Sequence, residues 1–395
     1  MRIVFVTTKL NFITSGASVE ELDLKIRRFQ QLGHEVLAVT MFRGLNNIPE
    51  LLPYKVMEEH SGSGSQLALQ YHCYRVLKKY APLADVFYVD GQVFLYGAGL
   101  YRLLLGKPVC AHFNRELTSW PELVSSHFGM PRRSELARLK QFIRFYLEKF
   151  FFIPFANRID ACSFTNPHLR ETYRNFGFNP KISLITGDAF DYKRFMHKYD
   201  VREDSYRTRN KHAPPYTIYY SSRMAAGKGF DTLIEAFSKL RNKNDFRLIL
   251  GGAGPDEQKI KERIVELGIG ELVSFTGWAP KVEHYTRLKE GADMLVQPSQ
   301  SGFDKTSYIL LEAMAMGVPS ILPRGGGLEW DARESAIYFM AGDTDDLARK
   351  IEELGSNREL RATLSQKCYE RLKEGEMDYH TQVGLWEEVL KRIVP

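Results

Sequence analysis

Cysteine is scarce: Cys73, Cys110, Cys162 and Cys368 are the only four in 395 residues, and no two form a Cys-x-x-Cys pair. This suggests neither a disulfide framework nor a zinc site, and it suits a reducing cytoplasm. Long apolar runs are also missing. Strongly apolar uncharged stretches such as Ala313 to Pro323 fall well short of the roughly 20 residues a membrane-spanning helix needs. The loop after the first strand-like segment lacks Gly-x-Gly-x-x-Gly, which argues against a dinucleotide-dependent oxidoreductase. No nucleic-acid recognition motif accompanies the basic residues, so nucleic acid is not an expected partner. The opening Met1–Thr8 reads as a short strand and not as a leader peptide.

What is present points to two apolar cores. The hydrophobic fraction is 44%, and a chain of this length favours two domains. The net charge of +6 is split unevenly. Residues 1–200 hold 26 Lys and Arg against 18 Asp and Glu, whereas the remainder hold 28 against 30. Six bases, Arg132, Arg133, Arg138, Lys140, Arg144 and Lys149, crowd between Pro131 and Phe150, interleaved with Phe142, Phe145, Tyr146 and Phe150. A basic, aromatic, amphipathic helix suits peripheral contact with an anionic membrane surface. A core helix with a solvated basic face is the alternative.

The order of segments predicts an α/β protein. Strand Arg2–Thr8, a loop carrying Gly16, helix Val19–Gln31 with Leu22, Ile26 and Phe29 on one face, and strand His34–Thr40 make a βαβ unit. Further strands are expected at Val86–Val89, Val109–His112 and Arg158–Ser163, and Ser61–Ser65 reads as a flexible loop. The polar connector Lys198–Pro215 reads as a linker. A second array follows, with strands at Thr217–Ser221, Phe246–Leu250, Val273–Thr276 and Met294–Gln297 and helices between them. The expected domains are 1–197 and 198–377, with a last helix near 378–395 returning to the first. Each should be a Rossmann-like, doubly wound domain, and the two should face a central cleft.

The richest stretch runs from Asp304 to Glu329. Two acids, Asp304 and Glu312, lie eight positions apart around the start of the apolar helix Tyr308–Met316, with Lys305, Thr306 and Ser307 between them. Eight helical residues rise roughly 12 Å. Free N–H groups at a helix start, beside two hydroxyls and a lysine, suit a diphosphate. Glu312 stands alone among apolar neighbours, so a buried carboxylate there needs a polar partner. Asp304 fits either a site residue or a plain N-cap. Gly317 ends the helix, and a triple-glycine turn precedes Glu329.

This arrangement resembles the nucleotide-sugar site of the retaining GT-B glycosyltransferases of family 4. Other segments share the resemblance in order: Ser222 to Phe230 with Arg223 and Lys228, Gly251 to Pro255 with Gly254, and Phe275 to Trp278 with Gly277. Asp191 and Phe195 keep the family's domain-boundary spacing, while Gly187 to Phe190 depart from it. The resemblance implies a nucleoside diphosphate sugar donor, and a glycan, lipid-linked or small-molecule acceptor. Arg223 and Lys228 would hold the diphosphate, helped by Thr306 and Ser307. Glu312 would meet the ribose and Asp304 the sugar. Gly254, Gly277 and Trp278 would line the nucleotide, Gly16 would face donor phosphate and acceptor, and His112 would stand near the scissile bond. Asp304 replaces the family's usual Glu, and Lys305-Thr306-Ser307 replaces its Gly-Phe-Gly, which leaves the sugar open. It also keeps open a non-catalytic GT-B-like protein that binds nucleotide sugar or glycan. Asp343-Thr344-Asp345 has the letters of a metal motif but precedes a helix as a cap cluster would, so no metal or other cofactor is expected. The expected location is the cytoplasm, at or near a membrane surface.

Overall fold

Alternation between short β-branched or aromatic runs and amphipathic helical segments builds two parallel sheets. The computed structural model describes residues 1–12, 17–60, 66–114, 135–279, 281–299 and 307–394. The first sheet comprises β1 (Arg2–Thr7), β2 (Glu35–Thr40), β3 (Lys55–Glu58), β4 (Val86–Asp90), β5 (Val109–Phe113), β6 (Ala161–Phe164) and β7 (Ile182–Ile185), in the order β3-β2-β1-β4-β5-β6-β7. Period-two alternation gives its two faces separate cores: Val4 and Val6 pack into one, Ile3 and Phe5 into the other. Both faces are buried under helices, as parallel sheets require.

The second sheet comprises β8 (Tyr216–Ser221), β9 (Phe246–Gly251), β10 (Val273–Gly277), β11 (Met294–Val296), β12 (Ser320–Pro323) and β13 (Ala336–Phe339), ordered β10-β9-β8-β11-β12-β13. In each sheet the chain reverses direction of growth once, beside β1 and β4 in the first and beside β8 and β11 in the second. Crevices at such switch points, at the carboxyl ends of the strands, are where α/β proteins bind ligands.

One compact unit contains Met1–Phe190 with Glu376–Pro395, and the other contains Asp191–Gly375. The division therefore falls before the expected 197/198 boundary. The polar connector 198–215 is part of the second unit and not a linker. It carries the helix Ser205–Arg209, its Tyr206 and Asn210 are buried, and Lys211 pairs with Asp293 at 2.7 Å. The segment Gly187–Phe190 is tied into the first unit, where the Phe190 N–H donates to the Met377 carbonyl at 2.8 Å. The last helix, Tyr379–Ile393, buries Val383, Trp386 and Leu390 in the first unit's core.

The basic aromatic segment is helical over Glu135–Leu147 and continues through a wide turn at Glu148–Phe152 into Ile153–Ala156. Phe145 packs on Phe176 and Phe152 stacks on Tyr96, which anchors one side. Elsewhere on the segment apolar side chains also face outward. Phe142, Ile143, Phe150 and Phe151 are all exposed there. Arg132 and Arg133 lie outside the described residues, as does the Ser61–Ser65 loop. Among the described residues no helix is long and apolar enough to cross a membrane.

Candidate functional site

Three loops meet at the carboxyl end of the second sheet. After β8 the chain turns through 222–229, carrying Arg223 and Lys228. Buried Met224 plugs this loop into the core, and its N–H donates to the Ala253 carbonyl at 3.0 Å. The Ser222 N–H donates to the Gly251 carbonyl at 3.2 Å, and the Asp256 N–H donates to the Met224 carbonyl at 3.1 Å. The turn after β9 must be glycine for this approach. A Cβ on Gly252 would lie 1.9 Å from the Ser222 oxygen, and one on Gly254 would lie 2.1 Å from the Met224 oxygen. Gly254 thus seats the loop that carries Arg223. The Gly252 N–H reaches the Gly277 carbonyl at 2.7 Å, which joins the third loop, and Trp278 beyond it is 72% exposed. Arg223 is exposed and pairs with no carboxylate among the described residues, while Lys228 is half-buried. The Tyr220 hydroxyl donates to the Lys228 carbonyl at 2.7 Å and holds the far end of the loop.

The next helix after β11 runs Tyr308–Ala315, with Ser307 at the N-cap. Asp304 and Thr306 lie outside the described residues, as does Gly16. Because the helix begins at Tyr308, the 12 Å helical span between Asp304 and Glu312 does not apply. Ser307 takes the cap position of this helix, and both readings of Asp304 fall on a residue outside the described ones. Glu312 has the polar partners its setting demands. The Tyr285 hydroxyl donates to Oε1 at 2.8 Å, and His284 Nε2 lies 3.3 Å from Oε2. In the glycine turn, Glu329 accepts from the Gly325 N–H and so closes its own helix start. Asp343 is a cap, accepting from the N–H groups of Asp345 and Asp346 at 3.0 and 2.9 Å.

In the first unit, strand register assembles a polar row. Asp90 pairs in register with His112, and His112 with Ser163, while Thr7 stands beside Asp90 and donates to it at 3.2 Å. His112 is fully buried, its Nδ1 2.7 Å from the Ser163 hydroxyl and its Nε2 3.3 Å from Glu21 Oε1. Glu21 is in turn 2.5 Å from Lys25, and both are buried. Burial opposes the charge on Glu21, but Lys25 and His112 outweigh it and hold the carboxyl down at about 2. Burial pushes the Asp90 carboxyl up, against the pull of His112. With no exposed surface, the His112 ring meets a substrate only if its neighbours move.

Residues 201–371 match the family model described as glycosyl transferases group 1. The matched stretch lies within the second compact unit. The lipopolysaccharide core biosynthesis glycosyltransferase LpsE of Rhizobium meliloti is 29% identical over 152 residues, covering 38% of this chain and 42% of that protein. Mannosylfructose-phosphate synthase of Agrobacterium fabrum is 28% identical over 163 residues, covering 39% and 35%. The chain thus spans less than half the length of either. In fold the likeness runs the full length. HepE of Anabaena, solved with UDP, has a TM-score of 0.72 at 17% identity over 99% of this chain and 100% of that one. The chain has the GT-B architecture.

The second unit holds Arg223, Lys228, Gly254, Gly277, Trp278, Ser307 and Glu312 on or beside one rim of its sheet. His112 and Gly16 belong to the other unit. Sequence reasoning missed His284, Tyr285 and Tyr219 around Glu312, and Glu21, Lys25, Asp90 and Ser163 around His112. The pair Glu21–Lys25 left a faint signal, four residues apart and each one position before a core residue, Leu22 and Ile26.

Proposed function

We propose that the protein is a retaining, metal-independent glycosyltransferase of the family 4 kind. It moves a hexose from a nucleoside diphosphate sugar to a glycan or lipid-linked acceptor at the cytoplasmic face of a membrane. The observation that carries this reading is the cationic loop 222–229, clamped by the glycine turn 251–254 at the switch point of the second unit. Transfer leaves negative charge on the departing diphosphate, and preorganised cations and N–H donors stabilise it as it develops. Arg223 and Lys228 supply the cations, the Ser307 end of the helix supplies N–H groups, and Glu312 receives the ribose. Asp304 reads the sugar. HepE is solved with UDP and with UDP-glucose, which supports a UDP-sugar as the first donor to try. LpsE supports a glycolipid acceptor, as do the exposed aromatic helix and the basic first half.

The test is calorimetric titration with UDP, GDP and ADP, followed by UDP-glucose turnover with EDTA present. One diphosphate should bind, and slow hydrolysis of its sugar should persist under chelation. Arg223→Ala with Lys228→Ala should nearly abolish binding, since each charge-assisted contact contributes on the order of 1.5–3 kcal/mol. Unchanged affinity in the double variant would overturn the assignment. Restoration of lost turnover by Mn²⁺ would overturn metal independence. Binding without turnover would make the protein a nucleotide-sugar binder.

A further inference from the structure

Glu312 is surrounded more elaborately than a stray carboxylate in an apolar helix needs. Four side chains from three elements form one chain of contacts. Tyr219 of β8 has its hydroxyl 2.7 Å from His284 Nδ1, His284 Nε2 lies 3.3 Å from Glu312 Oε2, and the Tyr285 hydroxyl donates to Glu312 Oε1 at 2.8 Å. His284 and Tyr285 are consecutive on the helix Lys281–Thr286 and reach the two oxygens of a single carboxylate. Tyr285 cannot swing away, because its ring lies 5.1 Å from that of Phe195 and 4.4 Å from that of Tyr199. A carboxylate only accepts, so His284 Nε2 donates, and a neutral imidazole then accepts at Nδ1 from Tyr219. Burial, reinforced by Glu312, pushes the Tyr285 hydroxyl far up and keeps it a donor. Burial pushes Tyr219 up to about 12.

If the purpose were only to fill space, an apolar residue would serve position 312 as well or better, since replacing buried polar groups by well-packed apolar ones is often neutral or stabilising. Glu312 is not sealed either, because 12% of its side chain stays accessible. Among the described residues, each oxygen spends one lone pair on its protein partner and keeps another. Two free acceptor sites on one rigid carboxylate match a pair of neighbouring hydroxyls.

We propose that His284 and Tyr285, with Tyr219 behind His284, are positioning residues that aim Glu312 at the two ribose hydroxyls of the bound nucleotide. This rests on the reading of Glu312 as the ribose contact, and the experiment separates the two. UDP and 2′,3′-dideoxy-UDP are titrated into the parent, Tyr285→Phe, His284→Ala and Glu312→Gln. The parent should prefer UDP by roughly tenfold or more, the value of a charge-assisted contact. In Tyr285→Phe and His284→Ala the preference should collapse to about threefold or less, with dideoxy-UDP affinity unchanged. Retained dideoxy-UDP affinity also reports that the variant site is folded. A purely structural role would weaken both ligands alike. If Glu312→Gln removes the preference while Tyr285→Phe and His284→Ala both keep it, this inference is overturned and the ribose reading stands. If Glu312→Gln keeps the preference, the ribose reading itself falls and takes this inference with it.

Discussion

Glu21 and Lys25 show how one residue can carry a pH dependence. The folded-state pKa of Glu21 lies below its ordinary value near 4.5, so its ionised form stabilises the fold. That contribution is complete above pH 4.5 and disappears as the pH falls toward about 2. Glu21→Gln leaves Lys25 buried without a counter-charge, which should cost about 3–5 kcal/mol at neutral pH. The variant's stability should also change less than the parent's across the acid range. Pairing it with Lys25→Met should recover most of the loss, because an apolar pair needs no charge balance. Urea unfolding at pH 7, 4 and 3 measures all three, and parallel pH profiles for parent and variant would refute the ionised pair. At this scale the sequence showed that Glu312 needed a partner but not which one. Tyr285 and His284 stand 27 and 28 positions away, and only the folded second unit brings them to it. His112 was legible as a strand-end residue, whereas its burial depends on Glu21 and Ser163, whose side chains the register delivers.

The glycine turn after β9 makes the element-scale argument. Gly254→Ala forces a methyl group against the backbone oxygen of Met224, and that oxygen belongs to the loop carrying Arg223. Overpacking of this kind costs about 1–3 kcal/mol, and UDP affinity should fall with it as the loop shifts. Gly268→Ala is the control. Its backbone is left-handed, with φ of +64°, unlike that of Gly254, and nothing lies within 4 Å of the added carbon. It should cost stability and leave UDP binding alone. Equal UDP affinity in Gly254→Ala and the parent would detach the turn from the site. Strands were the most legible elements, and β1, β4, β5, β8, β9 and β10 fall within a residue or so of their expected bounds. The helix Leu95–Leu105 escaped because Gly97 and Gly99 look like breakers. In the fold each admits a close neighbour, the Gln70 and Phe155 carbonyls standing 2.2 Å from where a Cβ would sit. Composition misled at 198–215, where a polar segment hides the anchors Tyr206 and Asn210.

Across the described residues, the basic excess and most of the large exposed apolar side chains fall in the same half. The basic excess lies in residues 1–200, and so do exposed Phe142, Phe150 and Phe151. Near an anionic surface each Lys or Arg contributes about 1 kcal/mol, screened by salt. The protein should therefore sediment with anionic vesicles in low salt and release in high salt. Phe150→Ser with Phe151→Ser should weaken the low-salt binding, and equal sedimentation of variant and parent would argue for a soluble acceptor. The first unit is also discontinuous in sequence, with Trp386 closing a core that begins at Ile3. A ribosome making roughly 5–20 residues per second must add the whole of Asp191–Gly375 before that closure is available. For roughly 10–40 seconds the earliest-made sheet waits with an open flank beside Tyr88, while the later unit already has all its parts. Order of synthesis and order of completion are thus reversed, and the nascent first unit is the stage at which apolar surface waits for its cover.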